Sequence, residues 1–214
     1  LPSEPPTTGP RLIVRTPGDR VPDEGVWDDE VHLWTTSGDW RRIARRVMAR
    51  TILARYAGVE PQALEFARGA DGRPELLTPV AGGALRFSVS SAPGMFVVAV
   101  GAETIGVDIE PRRRRVDVDG LVEAVCSSAE RDLLAAPMAP AVRGEAFIWC
   151  WTGKEACAKA AGLGLGAPFE EIDVGIGPID GVRAVPPAAS RQAGPWLLHR
   201  VDVLAAYAVA VAVA

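Results

Sequence analysis

Two apolar runs constrain this chain more than any other feature: FVVAVG (Phe96–Gly101) and YAVAVAVA (Tyr207–Ala214). Both fall far short of the roughly 18 apolar residues that a membrane-spanning helix needs. Each reads as a buried strand, and an exposed edge on the second would support pairing between chains. Composition agrees with a packed protein: 48% hydrophobic and 23% charged residues exclude disorder as the main state. A length of 214 residues suits one ordinary domain or two small halves packed together. The Pro/Thr-rich start, Leu1–Pro10, has neither a basic region nor an apolar one, so no secretory signal is expected there and the cytoplasm is the expected compartment.

Periodicity and turn residues predict the other elements. Arg11–Arg15 and Val26–Trp34 read as strands. A helix is predicted from a cap at Ser37 or Asp39 to Tyr56, with Ile43, Val47, Ile52 and Leu53 as its buried stripe. Short strands are predicted at Leu64–Arg68, Arg86–Ser90, Met95–Val100 and Thr104–Glu110. Helices follow at Asp117–Val125, Ser127–Ala136 and Gly144–Ala161, the last ended by Gly162. Phe169–Ile176, Trp196–Val203 and Ala206–Ala214 complete the strands, and Gly177–Gly194 has little periodicity. Each half thus has a long helix, short strands and an apolar terminal strand. That symmetry suggests a division into 1–103 and 104–214, although residue identity between the halves is poor.

Charge narrows the function classes. A net charge of −4 gives no general case for nucleic acid or an anionic membrane as partner. Cys126, Cys150 and Cys157 lack metal-ligand spacing and read as buried free thiols in a reducing compartment. His32 and His199 read as structural. Of the 23 basic residues 21 are Arg, and the two lysines, Lys154 and Lys159, share one short segment, where a compact ammonium has a use that a forked guanidinium serves poorly. Arg112–Arg115 reads as a solvated loop, with phosphate or an acidic partner as the alternative.

The chemistry concentrates in two motifs. In GVDIE (Gly106–Glu110), Asp108 and Glu110 stand at i and i+2 of a strand and point to one side. Such a pair repels unless a cation or proton lies between them. In WTGKEACAK, Glu155 and Lys159 are helix neighbours at i and i+4. If this helix packs on the strand, three carboxylates converge beside two lysines. Oxygen ligands without His or Cys favour Mg²⁺, which takes further oxygens from water and phosphates, and this points to phosphoryl transfer or pyrophosphate binding. By themselves the motifs leave blander readings open. Asp-x-Glu is common at strand ends, and a Glu–Lys pair is usually an exposed helix pair.

GVDIE followed by FIWCWTGKEACAKAAGLGL (Phe147–Leu165) resembles the signature of 4′-phosphopantetheinyl transferases of the Sfp-like, surfactin-synthetase-activating type. The pattern W-x-x-K-E-A-x-x-K-A-x-G-x-G-L is met from Trp151 to Leu165. ARYAGVEPQALEFARGADGRPEL and CSSAERDLLA (Cys126–Ala135) resemble further family segments, so the likeness runs from about Thr51 to the C-terminus. It implies an α+β fold of two similar halves forming a pseudo-dimer, with coenzyme A in the cleft between them. It implies transfer of phosphopantetheine from coenzyme A to a serine of an acyl or peptidyl carrier protein. The Ala/Arg-rich composition suggests a high-GC bacterium, where such enzymes often serve polyketide or nonribosomal peptide pathways, and a monomer without nucleic-acid or membrane partners is expected. By position, Asp108, Glu110 and Glu155 would hold Mg²⁺ (or Mn²⁺), and Glu110 would deprotonate the serine. Lys159 would neutralise the leaving phosphate, Lys154 would contact coenzyme A phosphates, and Arg68 and Arg73 would hold the nucleotide.

The sequence departs from the family pattern twice. The family usually carries Phe-Asn-x-Ser-His-Ser/Thr ahead of GVDIE, the His meeting the 3′-phosphate of coenzyme A; here the segment is Phe87-Ser88-Val89-Ser90-Ser91-Ala92. Ser88 replaces Asn and Ser91 replaces His, so Ser88, Ser90 and Ser91 are the coenzyme A candidates of this strand. The basic segment that the family has before its first long helix is shortened to TTSGD between Trp34 and Trp40. Both changes fall on coenzyme A recognition. They keep open a diverged homologue with another donor or reaction, and a non-catalytic carrier-binding module.

Overall fold

The computed structural model describes residues 10–21, 30–38, 42–69, 72–80, 83–177, 182–184, 196–202 and 204–214. The chain is a mixed α+β protein with two four-stranded sheets and a two-stranded hairpin among the described residues. The first sheet has the order β1 (Arg11–Arg15), β2 (Glu30–Ser37), β6 (Met95–Gly101), β5 (Arg86–Ala92). The second has the order β7 (Ile105–Pro111), β10 (Tyr207–Val213), β9 (Trp196–Val201), β8 (Val182–Ala184). The hairpin joins β3 (Phe66–Arg68) to β4 (Pro74–Leu76). Helices are α1 (Arg42–Ala57), α2 (Val118–Val125), α3 (Ser128–Ala135) and α4 (Pro140–Ala161).

The two apolar runs explain the layering. On β6, Phe96, Val98 and Val100 pack under α1 against Ile52, Leu53 and Tyr56, while Val97 and Ala99 face the other sheet. On β10 the alternation is stricter. Val209, Val211 and Val213 meet Val31, Leu33 and Val97 of the first sheet. Ala208, Ala210 and Ala212 lie toward α4. Both strands are therefore buried on both faces, as near-continuous apolar runs require. The order of layers is α1, first sheet, second sheet, α4. The small alanines let α4 approach the sheet closely, and β7 goes further: a Cβ on Gly106 would sit 2.0 Å from the Ala156 carbonyl oxygen, so only glycine fits there.

Most predicted elements stand within a residue or two of their observed bounds, and three expectations change. Phe169–Ile176 is not a strand. It begins as a short 3₁₀ turn, Phe169–Glu171, and then runs irregularly. Its backbone is bound by side chains instead of by a ladder. Glu130 accepts from the N–H groups of Val174 and Gly175 at 2.8 and 3.0 Å, and Lys154 donates to the carbonyls of Phe169 and Ile172. Ile43 and Val47 are exposed, because α1 buries its second half, Ile52 to Tyr56. α4 starts four residues earlier than predicted, at Pro140, whose missing N–H costs nothing at a first helical position. Of the two predicted caps of α1, Ser37 instead ends β2, paired with Met95, and Asp39 lies outside the described residues, as do the start of the predicted strand Val26–Trp34 and most of Gly177–Gly194. The free, buried cysteines are as expected. His32 is wholly buried, its Nδ1 2.7 Å from the Tyr56 hydroxyl.

Candidate active site

β5 and β7 are the facing edges of the two sheets, joined through serine side chains rather than by a ladder. The Val107 N–H donates to Ser88 Oγ at 3.1 Å, and Ser90 Oγ donates to Asp108 Oδ1 at 2.7 Å. The absence of a Cβ on Gly106 brings α4 onto β7. Lys159 then reaches across, donating to Asp108 Oδ1 at 2.5 Å, Ser90 Oγ at 3.0 Å and the Val107 carbonyl at 3.1 Å. Strand and helix do meet: Lys159 contacts Asp108, and Glu155 lies near enough to feel the charges of Asp108, Lys159 and Glu110.

Asp108 is buried, and its Oδ2 has no hydrogen-bond partner. An ionised oxygen buried without a partner is expensive, and native proteins rarely leave one unless a ligand serves it. Glu155 is half-buried, and its carboxyl is pushed above the usual range by burial and then by the charge of Asp108, with Glu110 adding to the rise and Lys159 opposing it. Glu110 accepts a 2.8 Å hydrogen bond from Arg114 Nη1. The three carboxylates offer oxygen donors with no sulfur or imidazole, the chemistry that suits a hard divalent ion such as Mg²⁺, but among the described residues their oxygens do not all lie within 4.8 Å of one another.

A cavity of about 990 Å³ opens beside this cluster, and Ser90 belongs to the wall of both. Its rim carries Arg45, Arg46, Arg50 and Arg68, its floor includes Leu53, Phe66, Phe87 and Phe96, and no Asp or Glu lines it among the described residues. Ser91 faces it, held by a hydrogen bond from Arg45 Nη1. Arg68 is exposed at the rim.

Three of the expected ligand residues are engaged within the protein itself. Lys154, expected to contact coenzyme A phosphates, is fully buried, paired with Glu130 at 2.6 Å and bound to two carbonyls. Arg73 lies outside the arginine cavity and donates to the carbonyls of Lys159 and Ala160 at 2.5 and 2.9 Å, covering the C-terminal end of α4. Ser88 is taken by the β5–β7 junction. The sequence reading missed Arg45 and Arg46. Their signal was present in the run WRRIARR, where an arginine-rich turn opens a helix that later buries apolar residues.

A second cluster, Cys126, Glu130 and Cys150, has ligand atoms within 4.8 Å of one another. Lys154 and the backbone N–H groups of Ser127, Val174 and Gly175 fill the Glu130 carboxylate, so this cluster belongs to the core. Among the described residues no helix is long and apolar enough to cross a membrane.

Comparison with known proteins shows the family. A family model for the 4′-phosphopantetheinyl transferase superfamily matches residues 104–212, the stretch that carries all three acids and Lys159. The 4′-phosphopantetheinyl transferase HetI of a Nostoc species is 32% identical over 159 residues, covering 74% of this chain and 64% of the relative. The 4′-phosphopantetheinyl transferase pptA of Paxillus involutus is 33% identical over 142 residues, 58% of this chain and 54% of the relative. The chain thus spans less than two thirds of either relative's length. A family match across half the chain means that this chain belongs to the 4′-phosphopantetheinyl transferase superfamily.

Proposed function

We propose that the chain transfers the 4′-phosphopantetheine group of coenzyme A to a serine of an acyl or peptidyl carrier protein. The observation that carries this reading is the buried, unpartnered Asp108 Oδ2 among three carboxylates, beside Lys159 and an arginine-lined cavity. Asp108, Glu110 and Glu155 would hold Mg²⁺, which supplies charge neutralisation for a pyrophosphate. The serine oxygen forms a bond to the phosphorus that carries the pantetheine arm, and the bond from that phosphorus to the adenosine 5′-phosphate oxygen breaks. The serine proton passes to Glu110, directly or through water, and 3′,5′-adenosine bisphosphate leaves. Lys159 is placed to neutralise charge on the leaving phosphate, where a fixed ammonium acts most strongly on charge that develops during reaction.

The same reading divides the chain near residue 103 into two similar halves with the substrate cleft between them. Its support is that each four-stranded sheet is built from one side of that position and carries one long helix on its outer face. Intact-mass spectrometry tests the activity: an apo carrier protein incubated with this chain, coenzyme A and Mg²⁺ gains one phosphopantetheine, and EDTA abolishes the gain. A folded sample that gives no gain across several carrier proteins overturns the transferase reading and favours a diverged homologue, for which the loss of His at position 91 is the motive.

A further inference from the structure

Lys159 stands in the last turn of α4. Helix ends fray, because their final carbonyls have no partner inside the helix. The ammonium of Lys159 can stay on Asp108 and Ser90, across the gap from helix to strands, only while that turn holds still. Gly162 gives one hold. It closes the helix in the left-handed conformation, φ 72°, and its N–H donates to the Lys159 carbonyl at 3.3 Å. A second hold comes from a distant part of the chain. Arg73 Nη1 donates to the carbonyls of Lys159 and Ala160, 86 and 87 positions later.

Arg73 is built as a fixed arm. It lies in the turn of the β3–β4 hairpin, between Gly72, φ 80°, and Pro74. Its own carbonyl accepts from the Gly69 N–H at 2.8 Å, which closes that turn. Phe66 and Leu76 of the hairpin pack on the core beneath α1. The guanidinium thus carries an anchor in one core to the end of a helix in the other. Its charge also sits at the negative end of the α4 macrodipole, and a charged donor serves a carbonyl more strongly than a neutral one. Gly72 and Pro74 line the arginine cavity, while the side chain between them goes to α4.

We propose that Arg73 is a positioning residue for Lys159: it holds the last turn of α4 so that the ammonium stays on Asp108 and Ser90, and it acts on turnover rather than on nucleotide affinity. The effect on turnover rests on the phosphopantetheinyl-transfer reading above. The effect on the setting of Lys159 does not.

The composition supplies a direct probe. The chain has two lysines, so isotope-labelled lysine gives two side-chain NMR signals, one from buried Lys154 and one from Lys159, told apart by Lys159→Met. In Arg73→Met the Lys159 signal moves toward that of free lysine, while the Lys154 signal stays and reports an intact core. In the transfer assay with an apo carrier protein, coenzyme A and Mg²⁺, kcat falls about ten- to a hundredfold, the scale of misplacing a group by about 1 Å, and KM for coenzyme A is unchanged. Arg73→Lys keeps the charge and a donor for the same carbonyls, so it recovers part of kcat. Where Arg73→Met unfolds, Arg73→Gln gives the same two readings. A raised KM with unchanged kcat assigns Arg73 to the nucleotide and overturns the proposal, as does a Lys159 signal that does not move. A native chain that transfers nothing overturns the transferase reading. The Lys159 signal then decides alone: movement in Arg73→Met keeps the positioning role, and no movement removes it.

Discussion

Two carboxylate–lysine pairs lie on different sides of α4. Glu130–Lys154 and Asp108–Lys159 have nearly the same separation, 2.6 and 2.5 Å. Their surroundings differ. Glu130 and Lys154 have no exposed side-chain surface, and their oxygens and ammonium are filled by backbone groups of the 169–175 segment and the Ser127 cap. Asp108 and Lys159 sit at the edge of a cavity, with Lys159 29% exposed and one oxygen of Asp108 left over. The distance between the charges therefore says nothing about role. What separates the structural pair from the one proposed to be reactive is whether every polar atom is satisfied without a ligand.

The largest effect that tests this contrast is on turnover. Glu155→Gln or Asp108→Asn is expected to lower kcat/KM by on the order of 10³-fold, the scale of losing one group that stabilises charge in the transition state. For Glu155→Gln, Tm should hold or rise, because a neutral amide removes a charge that burial, and then the charge of Asp108, disfavours. Retained turnover in Glu155→Gln would remove it from the site.

The next effect is on stability and runs the other way. Lys154→Met strands Glu130 as a buried charge and should cost about 3–5 kcal/mol. At about 2–4 °C per kcal/mol for a chain of this size, thermal unfolding should fall by roughly 6–20 °C. Lys159→Met, the same change five residues on, should leave Tm within a few degrees while lowering turnover. Glu130→Gln added to Lys154→Met should recover part of the loss, since no unpaired charge then remains buried. A Tm for Lys154→Met equal to that of the native chain would erase the distinction between the pairs.

A smaller cost is expected at the contact that joins strand to helix. Gly106→Ala forces β7 and α4 apart, since the Ala156 carbonyl and the Ala160 N–H would lie 2.0 and 2.5 Å from the new Cβ. Overpacking of this kind costs about 1–3 kcal/mol. It should also carry Lys159 away from Asp108, so turnover falls in a protein that still folds. A folded Gly106→Ala variant with native kcat would show that the approach of α4 is not needed to build the site.

How much of this was legible in the sequence follows from the same contrast. The i, i+2 acids of GVDIE and the i, i+4 spacing of Glu155 and Lys159 are local regularities of strand and helix, and local regularities survive folding. The alternation in YAVAVAVA likewise told of a buried strand. The role of Lys154 was not legible, because it depends on Glu130, 24 positions earlier, and on backbone groups 15 and 18 positions later. For the same reason Phe169–Ile176 read as a strand: its apolar residues are real, but distant side chains claim its backbone. Arg45 was invisible as a partner of Ser91, 46 positions away, until α1 packed against β5.

The smallest expected effect concerns the arginine run after β7, where the sequence left a choice between a solvated loop and an acidic partner. The four residues divide. Arg112 is bound to the Tyr207 carbonyl and Asp202 and lies 5.0 Å from the Trp149 ring centre, so it holds β10 and α4. Arg114 is paired with Glu110. Arg113 and Arg115 are exposed, and Arg113 lines a groove of about 800 Å³ that also contains Glu110. An acidic carrier protein presenting its serine to Glu110 would pass these two charges. Arg113→Glu/Arg115→Glu should therefore raise KM several-fold at low salt, with kcat nearly unchanged, and the difference should shrink as salt rises and screening shortens the reach of each charge. Exposed charges steer association more than they hold a complex, so the effect should lie in the on-rate. A KM that does not move at low salt would assign the run to solvent and leave the approach of the acceptor to be set by the groove's shape alone.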